Sequence, residues 1–138
     1  IDYSNKTYIK KDIIDDLINK KMINFYNFQE NTIKFIENSS CIILPSYREG
    51  LSRTLLEAAS IGRPIITSDV PGCRDVVTNN FNGFLCKVKS VDDLENNIIK
   101  FINLDNNKKI EFGINSRKIA NNFDEKIVIK KYLDFIHE

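Results

Sequence analysis

The sequence predicts an α/β fold in which a parallel sheet is covered by helices on both faces. Short apolar runs alternate along the chain with stretches of helical periodicity, as where Cys41-Ile-Ile-Leu44 precedes Ser52–Ile61. The apolar runs are uninterrupted, which is the pattern of strands buried on both sides. Pro45, Gly62, Pro64 and Gly72 punctuate the joins. Strand and helix in strict alternation is the order that builds a layered parallel sheet.

Residues 11–20 (KDIIDDLINK) place Ile13, Ile14, Leu17 and Ile18 on one helical face. Met22–Tyr26 predicts a first short strand, and Gln29–Asn38 a helix with Ile33, Phe35 and Ile36 as its apolar members. Cys41–Leu44 predicts a second strand, stopped by Pro45. Ser52–Ile61 predicts a helix, ended by Gly62 at the position that favours a left-handed cap. Pro64–Thr67 is the third strand, with its proline first, where no ladder donor is lost. Asp69–Gly72 predicts a turn, followed by a short helix around Arg74–Thr78. Asn82-Gly83 is a second turn, leading into a fourth strand at Phe84–Val88. Val91–Leu104, Lys108–Asn121 and Asp124–Ile136 complete the chain as helices, the last with Asp124 as its cap.

At 138 residues the chain is about one domain's worth, and 42% apolar with 28% charged residues is ordinary globular composition. The net charge of +1 leaves no electrostatic footprint for nucleic acid, which is not expected as a partner. There is no secretory signal pattern and no apolar run long enough for a bilayer, so a cytoplasmic location is expected. No basic amphipathic helix stands out, so no membrane affinity of the chain's own is expected. Cys41, Cys73 and Cys86 lack CxxC spacing and read as packing residues. The single histidine, His137, supports neither a metal cluster nor a Ser-His-Asp or Cys-His relay.

Sheets of this kind bind ligands beyond the carboxyl ends of their strands. That directs attention to Asn27–Gln29, Pro45–Ser52 and Ser68–Arg74. In the second of these a buried strand ends, Gly50 allows close approach, and a helix begins with amides that have no internal partner. The result is an anion cradle, though every parallel α/β domain offers several. Glu57 is less ordinary. It lies between Leu55-Leu56 and Ala58-Ala59, where a half-buried carboxylate needs a partner. An ion pair with Arg53 and hydrogen bonds from vicinal hydroxyls of a ligand are about equally good readings. Glu49, by its residues alone, is better read as a solvated partner of Arg48. Because Glu49 is in the loop, it can instead fold over the helix start while Glu57 lies about a turn and a half along. One ligand would then touch both, its phosphates between them.

Glu49-Gly-Leu-Ser-Arg-Thr-Leu-Leu-Glu57 resembles the two-glutamate motif of retaining family-4 glycosyltransferases of group-1 type. ILPSYREGL, LLEAASIGRPIITSDVPGCRDVV and NGFL extend the likeness, which covers roughly residues 22–138 and is strongest with enzymes of bacterial capsule and surface polysaccharide. The resemblance implies a Rossmann-like sheet, the truncated carboxyl-terminal half of a GT-B fold. It implies that Glu57 binds the ribose hydroxyls of a nucleoside diphosphate and that Glu49, as the catalytic residue, contacts the donor sugar. Backbone amides of Gly50, Leu51, Ser52, Arg53 and Thr54 would receive the sugar and diphosphate, and Asn27 and Phe28 would lie near the base. Ser52 stands where relatives often have proline, and a serine can cap the helix.

The donor so implied is a nucleotide sugar, UDP-linked, held without a metal or other cofactor. The reaction implied is transfer of a hexose or N-acetylhexosamine to a growing surface glycan, free or lipid-linked, by a parent enzyme peripheral at the inner membrane face. The chain is expected to lack the amino-terminal acceptor domain and the first strands of its own domain, and so to be inactive alone. The alternative is a non-catalytic nucleotide-sugar-binding module, or one subunit of a split enzyme. A nucleotide-sugar 2-epimerase of the same architecture is disfavoured by the lack of an internal histidine.

Overall fold

Strands β1 (Ile42–Leu44), β2 (Ile65–Ser68) and β3 (Gly83–Cys86) form one parallel sheet in the order β1-β2-β3. Ile42 stands opposite Ile65, and Ile66 opposite Phe84. The computed structural model describes residues 9–136, which divide between Thr32 and Ile33 into two units. The described part of the first holds helix α1 (Lys11–Asn19) and the segment that follows it. The second holds the sheet, α2 (Ile33–Glu37), α3 (Arg53–Ile61), α4 (Pro71–Arg74), α5 (Val91–Ile102), α6 (Asn106–Ala120), a 3-10 turn at Asn121–Phe123 and α7 (Glu125–Ile136).

The strand expected at Met22–Tyr26 is absent. These residues join no ladder, and Met22 and Tyr26 are exposed. An apolar run is only a capacity to pair; without a neighbouring strand its backbone gains none of the ladder bonds that would hold it extended. The other three expected strands are present within one or two residues of their predicted bounds.

All four residues of β2 are buried, so the sheet's two faces carry two cores. On one face Ile65 packs with Leu55, Ala58 and Ala59 of α3, Ile36 of α2, and Cys73, Val76 and Val77 from α4 and the residues after it. On the other, Ile66, Phe84 and Cys86 pack with Phe101 of α5 and Phe112 of α6. Phe84 and Phe112 meet edge to face, their centroids 5.5 Å apart.

The helix boundaries follow local chemistry. Gly62, at φ 80°, caps α3 in the left-handed region as its position predicts. Ser90 accepts a hydrogen bond from the Asp93 amide (3.2 Å), and Asp105 from the Lys108 amide (2.8 Å), fixing the starts of α5 and α6. Ser52 occupies the cap position of α3 but makes no capping bond, contrary to expectation. The short helix expected around Arg74–Thr78 instead begins at Pro71, whose fixed φ suits a first helical position. Asn82 proves to be more than a turn residue. It is fully buried, accepts from the Thr78 amide and donates to the Val76 carbonyl and Ser116 Oγ, while Asn80 takes the left-handed conformation.

Candidate functional site at the carboxyl ends of the strands

The loop 45–52 leaves β1 and turns at once, the Ser46 amide bonding back to the Leu44 carbonyl (3.0 Å). Ser46 Oγ then donates to Glu49 Oε1 at 2.6 Å, holding that half-buried carboxylate within its own loop. The expected pairing of Glu49 with Arg48 is not formed. Helix α3 follows. Its first intrahelical bond runs from the Leu56 amide to the Ser52 carbonyl (3.0 Å), so the amides before it have no helical acceptor and no side-chain cap. Gly50, Leu51, Arg53 and Thr54 are exposed around this helix start, and Ser52 is buried beneath it.

Glu57 lies about one turn further along α3 and is half-buried. The ion pair with Arg53 is absent from the salt bridges among the described residues, which are Lys20–Asp16, Arg74–Asp69 and Lys108–Glu111. Among the described residues, no cation forms a salt bridge with this carboxylate. Glu49, Gly50–Thr54 and Glu57 are thus brought together on one loop and one helix. Asn27 and Phe28 belong to the first unit, where Phe28 is 90% exposed.

What fixes the loop was not visible in the sequence. A Cβ on Gly72 would stand 1.7 Å from the Gly50 carbonyl oxygen, so the backbone of loop 45–52 rests directly on α4. Gly50 itself has nothing within 4 Å of the position a Cβ would take, which leaves room at the helix start for the close approach of a ligand expected there. Below this contact Thr67 Oγ1 donates to the Leu44 carbonyl (2.7 Å) and approaches Cys73 Sγ at 3.1 Å. Burial pushes the Cys73 thiol up, the Thr67 hydrogen bond pulls it down, and the negative charge of Glu49 raises it further.

The same end of the sheet holds a cavity of about 200 Å3 bordered by Pro45, Tyr47, Ser68, Lys87 and Lys89. The Lys89 ammonium lies 5.7 Å from the Tyr47 ring centroid, joining the loops that follow β1 and β3. Asp93 accepts from the Lys87 amide (2.6 Å) and holds the second of these loops to α5. Lys87, Lys89 and Tyr47 went unnoticed in the sequence, because nothing local distinguishes them from solvated residues.

Residues 3–119 match the family model described as glycosyl transferases group 1. The chain is 27% identical over 118 residues, 86% of its length, to N,N'-diacetylbacillosaminyl-diphospho-undecaprenol alpha-1,3-N-acetylgalactosaminyltransferase of Campylobacter jejuni. It is 32% identical over 97 residues, 70% of its length, to the capsular polysaccharide biosynthesis glycosyltransferase CapM of Staphylococcus aureus. It spans 31% and 25% of those relatives, respectively. Among solved structures, Anabaena Alr3699/HepE in complex with UDP superposes with a TM-score of 0.81 at 20% identity, over 92% of this chain and 36% of that one. The C-terminal domain of the group 1 glycosyl transferase LpcC from Francisella tularensis superposes with a TM-score of 0.65 at 16% identity, over 81% of this chain and 62% of that one. With its parallel sheet and its helices on both faces, the chain belongs to the group 1 glycosyl transferases and carries the Rossmann-like fold of their GT-B structures.

Proposed function

We propose that this chain is the donor-binding part of a retaining, family-4 glycosyltransferase that uses a UDP-linked sugar. The observation that carries the reading is Glu57: a half-buried carboxylate with no salt bridge among the described residues, one turn into a helix whose first amides are open. Such a carboxylate can accept two hydrogen bonds from vicinal ribose hydroxyls. The uncapped amides of α3 receive the diphosphate, with Lys87 and Lys89 adding positive charge from the same end of the sheet and no metal ion taking part. Glu49, fixed by Ser46, orients the transferring sugar. Asn27 and Phe28 contact the base, an assignment that rests on the family resemblance.

Transfer of a hexose or N-acetylhexosamine then requires an acceptor domain, and the acceptor is a surface glycan or its lipid-linked precursor. The relatives named for diphospho-undecaprenol and capsule substrates support that choice, and with it a peripheral position at the inner membrane face.

The test is calorimetry with UDP together with product formation, on the whole protein that carries this chain. Glu57→Gln weakens UDP binding roughly ten- to a hundredfold, from the loss of about 1.5–3 kcal/mol in hydrogen bonds to a charged acceptor. Glu49→Ala mainly lowers turnover, because contacts that strengthen in the transition state act on rate. Unchanged affinity and rate in Glu57→Gln would return that residue to a structural role. Intact UDP binding with no transfer under any acceptor would favour the binding module.

A further inference from the structure

A second and larger cleft, of about 570 Å3, lies at the amino-terminal end of the sheet, away from Glu49 and Glu57. Its walls are the turn after α3 (Gly62, Arg63, Pro64) and one face of α6 carrying Lys109, Gly113 and Arg117. These α6 residues are four apart and so share a side of the helix. The floor is tight: a Cβ on Gly113 would stand 2.4 Å from the Gly62 carbonyl oxygen.

Arg63, Lys109 and Arg117 border the cleft, and among the described residues no carboxylate does. Among the described residues, none of these three cations has a carboxylate partner. Arg63 Nε is buried without a hydrogen-bond partner, a rare state for a donor that never gives up its proton. Arg117 is exposed and takes part in none of the ion pairs among the described residues. Lys109 donates to the Ile102 carbonyl (2.8 Å) and its ammonium lies 5.6 Å from the Phe101 ring centroid, so it is the most engaged of the three.

Neutralising the carboxyl end of α3 does not account for the cluster. That end carries about half a negative charge, against three full positive ones. Its Ala58 and Ala59 carbonyls already accept from the Arg63 and Gly62 amides. Beside the cations, Ile110 and Ile114 are 60% and 54% exposed. An exposed Arg117 and two half-buried cations next to exposed isoleucines suit a ligand with an anionic group and an apolar body.

We propose that this cleft binds a phosphate-bearing ligand, its phosphate between Arg63 and Arg117 and its apolar part against Ile110 and Ile114. The phosphate belongs to a soluble phosphomonoester or to an anionic lipid head group, which offer these side chains the same chemistry. Binding here is independent of the donor site.

The experiment follows the arginine Nε–H resonances of the 15N-labelled full chain during titration with inorganic phosphate. The Arg63 Nε–H shifts saturably, with or without UDP, and the response weakens at least tenfold in Arg117→Gln. Arg63→Lys, which keeps the charge and loses the planar fork, weakens binding similarly. Should that variant not fold, the exposed Arg117→Gln decides alone. Sedimentation with phosphatidylglycerol and with phosphatidylcholine vesicles separates the two sources. Arg117-dependent binding to the anionic vesicles assigns a lipid, and phosphate binding without it assigns a soluble ligand. Three results overturn the proposal: no response to either probe, a response that survives Arg117→Gln, or one displaced by UDP.

Discussion

Burial pushes the Cys41 thiol from its ordinary 9.0 up to about 12, against a lowering contribution from a hydrogen bond with the Ile66 backbone. The folded state thus prefers the neutral thiol more strongly than the unfolded state does. The corresponding stability is complete below pH 9 and is lost as pH rises from 9 towards 12, where the unfolded chain ionises first. Denaturant midpoints measured at pH 8 and pH 10.5 should therefore fall on going alkaline, and fall less in Cys41→Ala. An equal fall in both proteins would mean that Cys41 is better solvated than its surroundings indicate. The sequence showed Cys41 and Cys86 as packing residues, because they sit inside apolar strand-like runs. It left Glu57 undecided between Arg53 and a ligand, because that choice depends on a rotamer and not on spacing.

At the level of elements, the strands that pack on both sides were legible and the solitary one was not. β2 and β3 announce themselves because burial on both faces demands continuous apolar sequence, and β1 carries the same run although it is only partly buried. Met22–Tyr26 has the same composition, and composition cannot show whether a neighbouring strand is there to pair with it. The placement of α4 slipped because Val70-Pro71-Gly72 reads locally as a turn, whereas Pro71 opens a helix. Gly72 was illegible for a different reason, since the atom that excludes a side chain there lies 22 residues earlier, at Gly50. That contact can be tested by comparing the two glycines. Gly72→Ala forces backbone apart and should cost about 1–3 kcal/mol in denaturant unfolding. Gly50→Ala, with nothing within 4 Å of its new methyl group, should stay within about 0.5 kcal/mol. Similar losses in both would show that loop 45–52 does not rest on α4.

Over the whole molecule, stability should be graded by how completely each element is enclosed. β2 has a strand on either side and four buried residues, whereas β1 pairs with β2 alone and leaves Ile43 44% exposed. Native-state hydrogen exchange should therefore be slowest at the Ile65–Ser68 amides, faster in β1, and fastest at residues 23–32, which have no regular structure. Uniform protection across the sheet would contradict that grading. The glycine-on-glycine seat between α3 and α6 bears on this architecture in another way. Helix α3 is nine residues long, roughly 13 Å, with Glu57 at its middle and Gly62 just beyond its end. Backbone pressed against backbone has no rotamer with which to absorb an error. The seat works as a machinist's datum: the axial position of Glu57 is referenced to a contact about a turn and a half away, and any slack there would be delivered undiminished to the carboxylate.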